Sequence, residues 1–72
     1  MMLKEEIALF IKERRQELGL TMEELAILIW GDSSKRSEIS RYESGKRTMS
    51  LDTLELFLKA LQSEIKLTKK GI

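Results

Sequence analysis

The chain has 72 residues, no cysteine, histidine or proline, and thirteen basic against twelve acidic side chains, for a formal charge of +1. That length allows one small domain that buries about 60–65% of its unfolded surface, leaving little room for a deep catalytic pocket. Without cysteine there is no disulfide framework or thiolate metal site, and without histidine the commonest zinc ligand and neutral-pH acid/base are missing; most enzyme classes and structural zinc modules drop out.

Hydrophobic residues make up 42% of the chain and charged residues 35%, the balance of a packed core inside a well-solvated exterior. The longest apolar run, Leu25 to Trp30, is six residues, against the roughly 20 that span a bilayer. The acidic start Lys4-Glu5-Glu6 does not resemble a signal peptide. A cytoplasmic protein without membrane or cofactor is expected. A domain this small with no covalent or metal staple commonly associates with a copy of itself, so a homodimer is expected as well.

In chain order, Leu3, Ile7, Phe10, Ile11 and Leu18 recur at helical spacing, with Glu5, Glu6, Lys12, Glu13 and Arg15 elsewhere; they predict a first helix stopped by Gly19. Thr21 with Glu24 three residues on is a capping box, and Leu20 with Leu25 a hydrophobic staple, so a second helix starts there. It buries Leu25, Ala26, Leu28 and Ile29 and ends near Trp30-Gly31, where glycine suits a left-handed C-cap. Asp32, Ser33 and Ser34 each suit the cap of a third helix running through Ile39 and Tyr42 to Gly45. Ser50 caps a fourth, with Asp52 in its first turn, Met49 stapled on Leu54, and an apolar stripe of Leu51, Leu54, Phe57, Leu58 and Leu61. From Ser63 to Lys70 the period changes, with Ile65 and Leu67 alternating, which reads as a short strand; fraying or extension of the fourth helix is an equal alternative. The expected fold is all-α, a compact bundle of four to five helices, with residues 1–62 as the domain and 63–72 as a tail.

Charge is unevenly placed. Between Ser33 and Ser50 five basic residues face two acidic ones, a local +3, while the remainder of the chain stands at −2. Nucleic-acid binding needs cations where phosphates can be neutralised, so the local patch matters more than the total. On charge alone a solvated face is as good a reading. Ser33, Ser34, Ser37, Ser40, Ser44, Thr48 and Ser50 add short hydroxyls of the kind that contact phosphates and base edges, and that also serve as ordinary caps. Two short helices joined by a glycine-containing turn, the second opening on Ser-Lys-Arg-Ser, form a helix-turn-helix layout, in which the second helix enters the major groove.

Three ordered motifs then carry a resemblance: Thr21-Met22-Glu23-Glu24-Leu25-Ala26, Ile39-Ser40-Arg41-Tyr42-Glu43-Ser44-Gly45-Lys46-Arg47 and Ser50-Leu51-Asp52-Thr53-Leu54. They resemble the Cro/lambda-repressor-type, or Xre, helix-turn-helix family over about Ile7 to Leu61. The resemblance implies that Leu25, Ala26 and Ile39 set the angle between the two helices. It implies that Ser34, Lys35, Arg36, Ser37 and Ser40, with Ser33 beside them, line the groove-facing side of the recognition helix, and that Arg41, Lys46 and Arg47 hold phosphates. Tyr42 is expected to pack with its hydroxyl near the backbone, and Glu43 to make a structural polar contact with the Gly45 loop.

Two positions depart from the family pattern. Met22 stands where family members usually carry a glutamine whose amide meets a phosphate, and a thioether cannot make that bond. Ala26 and Ile39 are about three residues farther apart than in the family, so a longer turn or an extra helical turn lies between them, with Trp30 expected to be partly buried beside it. The tail from Leu61 to Leu67 more weakly resembles the ending of HipB-like antitoxins, whose strands pair across a dimer. The expected function is a sequence-specific double-stranded DNA-binding regulator, a repressor acting as a homodimer on a pseudo-palindromic operator. The alternatives are an antitoxin with a toxin protein as partner, and a protein-interaction module that has lost DNA binding.

Overall fold

The computed structural model describes residues 3–63. Four α-helices make up the bundle: α1 (Leu3–Glu17), α2 (Met22–Trp30), α3 (Arg36–Glu43) and α4 (Leu51–Ala60), with a 3-10 turn over Ser33–Lys35. No strand occurs among the described residues, and the reading of a strand at Ile65 to Leu67 lies outside them.

Local chemistry accounts for the helix ends. Thr21 Oγ1 accepts from the Glu24 amide at 3.0 Å while the Thr21 amide donates to Glu24 Oε1 at 2.8 Å, so two otherwise orphaned donors at the start of α2 are satisfied reciprocally. At the other end Gly31 takes φ 72° and its N–H donates to the Ile27 carbonyl. A Cβ placed there would meet nothing within 4 Å, so the demand for glycine is conformational rather than steric. Ser50 accepts from the Thr53 amide to start α4. α4 closes with Gln62 at φ 53° and the Ser63 amide donating to the Leu58 carbonyl at 2.8 Å. Arg14 Nε pins that end, donating to the Leu61 carbonyl and to Ser63 Oγ.

Each helix supplies the core. Ile11 from α1, Leu25 and Ala26 from α2, Ile39 from α3, and Phe57 and Leu61 at the end of the chain's described part are fully buried and form one cluster. Burial of each large side chain is worth about 1.5–3 kcal/mol. Trp30 and Tyr42 both meet Phe57 edge-on, at 6.0 and 5.4 Å between ring centroids, geometries favoured by the ring quadrupoles. Trp30 is thus partly buried, as expected, and Tyr42 packs; no hydrogen bond from its hydroxyl to the backbone occurs among the described residues.

Several positions on the expected apolar stripes face solvent instead. Leu3, Phe10, Leu28 and Leu51 are exposed. On α1 the buried face is Ala8, Ile11 and Arg15, so it is turned away from Leu3 and Phe10 toward a short alanine and a charged residue. The rotation follows from where α1 finds its neighbour: it packs against α3, and there Arg15 has a partner. Leu28 lies past the edge of the α2 face that Leu25, Ala26 and Ile29 present to the core, and Leu51 occupies the first position of α4, outside the bundle.

Candidate nucleic-acid interface

The connection between α2 and α3 is built from a cap and a single tight turn. Asp32 is extended and accepts from the Ser34 amide at 2.9 Å and from the Ser34 hydroxyl at 2.7 Å. Those bonds, the hydroxyl's first, hold the Asp32 carboxyl below its ordinary pKa, with the Lys35 charge adding to the effect. The chain then makes the 3-10 turn and passes straight into α3 at Arg36. Ser34 and Lys35, expected on the groove-facing side of the helix, accordingly sit on the turn ahead of α3, and Ser33, expected beside them, opens that turn. Arg36, Ser37, Ser40 and Arg41 are on α3 itself.

The fold brings six of the nine expected site residues to one open groove. Ser34, Arg36, Ser37, Ser40, Arg41 and Lys46 line it together with Met22 and Ser44. Ser33, Lys35 and Arg47 are exposed but lie outside the groove lining. Gly45, at φ 77°, turns the chain after α3 so that Lys46 returns beside Arg41; the Lys46 amide donates to the Arg41 carbonyl at 3.1 Å. Two groove residues were not among the expected ones. Ser44 donates its hydroxyl to the Arg41 carbonyl at 3.1 Å, and Met22, partly buried against the core, sets an apolar edge at the start of α2. Met22 was noticed in the sequence only for the hydrogen bond it cannot make.

The three arginines of this face have carboxylates within reach, Glu23 at an exposed position and Glu38 at a partly buried one. Arg36 Nε lies 3.7 Å from Glu23, and Arg41 Nη1 lies 3.3 Å from Glu38. Arg47 also pairs with Glu38, and its guanidinium carbon stands 5.7 Å from the centre of the Tyr42 ring, within cation–π range. Exposed pairs of this kind are worth about 0–1 kcal/mol and are screened by salt, so they leave the arginines available to a stronger anion. Lys35 and Lys46 make no ion pair among the described residues.

Beneath the groove lies the one pair that the sequence reading misplaced. Glu43 does not turn to the Gly45 loop: its carboxylate accepts from Arg15 Nε at 2.6 Å and from Arg15 Nη2 at 3.0 Å, while Arg15 Nη1 donates to the Leu20 carbonyl at 2.8 Å. Both residues are buried. The Glu43 hydrogen bonds raise the Arg15 pKa above its ordinary value and outweigh the opposing effect of burial. This bidentate fork ties α1 to the last turn of α3 and so fixes how the recognition helix stands on the bundle. The signal available in the sequence was the spacing Ile11, Arg15, Leu18, which puts a cation in line with one core residue and one packed against the core.

No group of acidic residues among those described is arranged to hold a metal ion, and no described helix is long and apolar enough to cross a membrane. Compared with known proteins, the chain matches a family model described as helix-turn-helix over residues 11–67. No curated protein and no solved structure matches it. The matched span covers most of the chain, and the α2–turn–α3 unit with its exposed cations lies inside it. The chain belongs to the helix-turn-helix family of the Cro/C1, or Xre, type, a family of DNA-binding regulators and not of enzymes.

Proposed function

We propose that this protein is a cytoplasmic repressor that binds double-stranded DNA as a homodimer at a pseudo-palindromic operator and acts by occlusion. The reading rests on one observation: Arg36, Ser37, Ser40 and Arg41 of α3 stand exposed along one groove with Lys46 and the start of α2. Arg36, Ser37 and Ser40 are assigned to base edges and Arg41, Lys46 and Arg47 to phosphates, with Ser33, Ser34 and Lys35 on the 3-10 turn beside the flanking backbone. Residues 1–62 form the DNA-binding unit in this reading, and 63–72 a tail that contributes to dimerisation. Catalysis has no part in it.

Two copies are needed on energetic grounds. One recognition helix offers a few base contacts of about 1–3 kcal/mol each, whereas an operator is typically preferred over random DNA by about 4–10 kcal/mol. Half-sites then lie about 34 Å apart, one turn of the duplex. Apolar surface for a second copy is present away from the DNA groove: Leu28 and Leu56 are exposed and, with Ile29 and Ala60, line a shallow depression between α2 and α4. Leu56→Glu is expected to shift the protein toward monomer in sedimentation equilibrium without changing its helical circular dichroism; an unchanged association constant would remove this face from the dimer.

The functional test is a fluorescence-anisotropy titration with a duplex selected from a random pool by the wild-type protein. Affinity should fall steeply with salt, with a log–log slope of about −0.9 per phosphate neutralised. Arg36→Ala should weaken binding to the selected duplex by roughly 10- to 100-fold, the loss of one good base contact, while the melting temperature stays put because the Arg36 side chain is exposed. Selection that enriches no sequence, together with salt-independent or absent duplex binding, would instead favour the interaction-module reading. Co-purification of a second protein bound to an otherwise DNA-competent dimer would favour the antitoxin.

A further inference from the structure

Glu38 occupies a place that the DNA-binding reading leaves unexplained. It is a carboxylate set between two cations of the DNA face, one turn before Arg41 on α3; the other acidic residue between Ser33 and Ser50, Glu43, is taken by Arg15, and Glu23 reaches only Arg36. Its two oxygens are divided: Oε2 accepts from Arg41 Nη1 at 3.3 Å and Oε1 from Arg47 Nη1. Those are two of the arginines assigned to phosphates. Arg47 is held from a second side by the Tyr42 ring, which itself rests on Phe57 in the core.

We propose that Glu38 is a specificity-determining residue of the DNA face, acting as an internal stand-in for a phosphate; the proposal rests on the DNA-binding reading above. The carboxylate side chain is 24% exposed, against 55% for Arg41 and 42% for Arg47, so it is the most enclosed member of the trio and the arginines are the ones that reach solvent. Its seat in the first turn of α3 adds the favourable interaction of an anion with a helix N-terminus, which anchors it independently of either arginine. A loosely docked duplex has to take Arg41 and Arg47 away from Glu38 without gaining base contacts. A correctly docked one meets them already oriented and adds the contacts of α3. The pairs are weak because their arginine ends are exposed and screened by solvent, so the restraint penalises non-specific binding without blocking the specific complex, a repulsive element of the kind that discriminates between partners.

The experiment compares wild type and Glu38→Gln on a random-sequence duplex and on the duplex selected by wild type, across a salt series. The variant is expected to bind the random duplex about three- to tenfold more tightly at low salt, the factor that release of two exposed ion pairs allows. Its salt slope on that duplex should steepen by about 1 to 2, one phosphate for each freed arginine, and the selected-to-random affinity ratio should fall. A Glu38 that only stabilised the fold would lower the melting temperature and weaken both duplexes alike with no change of slope, and that result overturns the proposal. Should Glu38→Gln fold poorly, Arg47→Gln reports from the other side: it must reduce the random-duplex slope by less than one phosphate in the presence of Glu38, and a full one-phosphate loss overturns the idea. If wild type itself binds no duplex, it is the DNA-binding reading that fails.

Discussion

Glu43→Ala is expected to lose roughly 3–5 kcal/mol of folding stability, because it strands a buried guanidinium. Arg15 cannot give up its charge, and in the variant two of its donors, Nε and Nη2, would face the space that the carboxylate filled at 2.6 and 3.0 Å. The whole stability of a domain is about 5–15 kcal/mol, so the loss is a large fraction of it. For a small domain each kcal/mol moves the melting midpoint by about 4–8 °C, which puts the expected drop at ~12 °C or more. Thermal unfolding followed by circular dichroism measures it. Arg15→Ala should be comparably harmful, since it leaves the Glu43 carboxylate buried alone, whereas the joint replacement Arg15→Met with Glu43→Leu should recover much of the loss by filling the site with apolar volume. A Glu43→Ala protein melting within a degree or two of wild type would show that the fork contributes nothing. The consequence reaches the DNA face: the pair joins α1 to the end of α3, so a variant that remains folded at low temperature should still bind the selected duplex less tightly, with its recognition helix less firmly set.

Phe57→Ala is the second large effect, expected to cost about 3–5 kcal/mol. Phe57 is fully buried at the centre of the cluster, and both other rings of the bundle's core meet its edge or face. Removing it opens a cavity among Ile11, Leu25, Ile39 and Leu61, side chains already confined by their own helices and able to collapse only in part. Urea unfolding monitored by the emission of Trp30 gives the midpoint and reports on the lost contact at once. The midpoint should fall strongly and the native emission should shift to the red as Trp30 gains water. Phe57→Leu keeps most of the volume and should cost less. Equal midpoints for wild type and Phe57→Ala would mean that the core does not centre on this ring.

Much of the local structure was legible because its determinants are near neighbours in sequence. Thr21 and Glu24 cap each other across three residues, Gly31 and Gly45 take the left-handed conformation that other residues resist, and Ser50 starts α4 from one position ahead of it. The expected helices and family motifs included every member of the core cluster, Ile11, Leu25, Ala26, Ile39, Phe57 and Leu61, but also Leu3, Phe10, Leu28 and Leu51, which are exposed. The clustering of Arg36, Ser37, Ser40, Arg41 and Lys46 was legible too, because α3 and the Gly45 turn place them together by short-range geometry.

What remained illegible depended on distance along the chain. An apolar spacing defines a stripe, but which edge of it is buried depends on where the neighbouring helix sits; hence Phe10 and Leu28 face water while Ala8 is enclosed. Arg15 and Glu43 are 28 residues apart, and a charged side chain looks like surface until a partner brought in by folding makes its burial tolerable. The placement of Ser33 to Lys35 on a 3-10 turn ahead of α3 was decided the same way, by the packing of that turn and of α3 against α2. Short-range chemistry in the sequence thus determined the helices, their ends and the cationic patch. The rotation of each helix, the Arg15–Glu43 fork and the division of Arg41 and Arg47 around Glu38 exist only once the helices pack, because each depends on contacts between side chains that only the folded chain brings within reach.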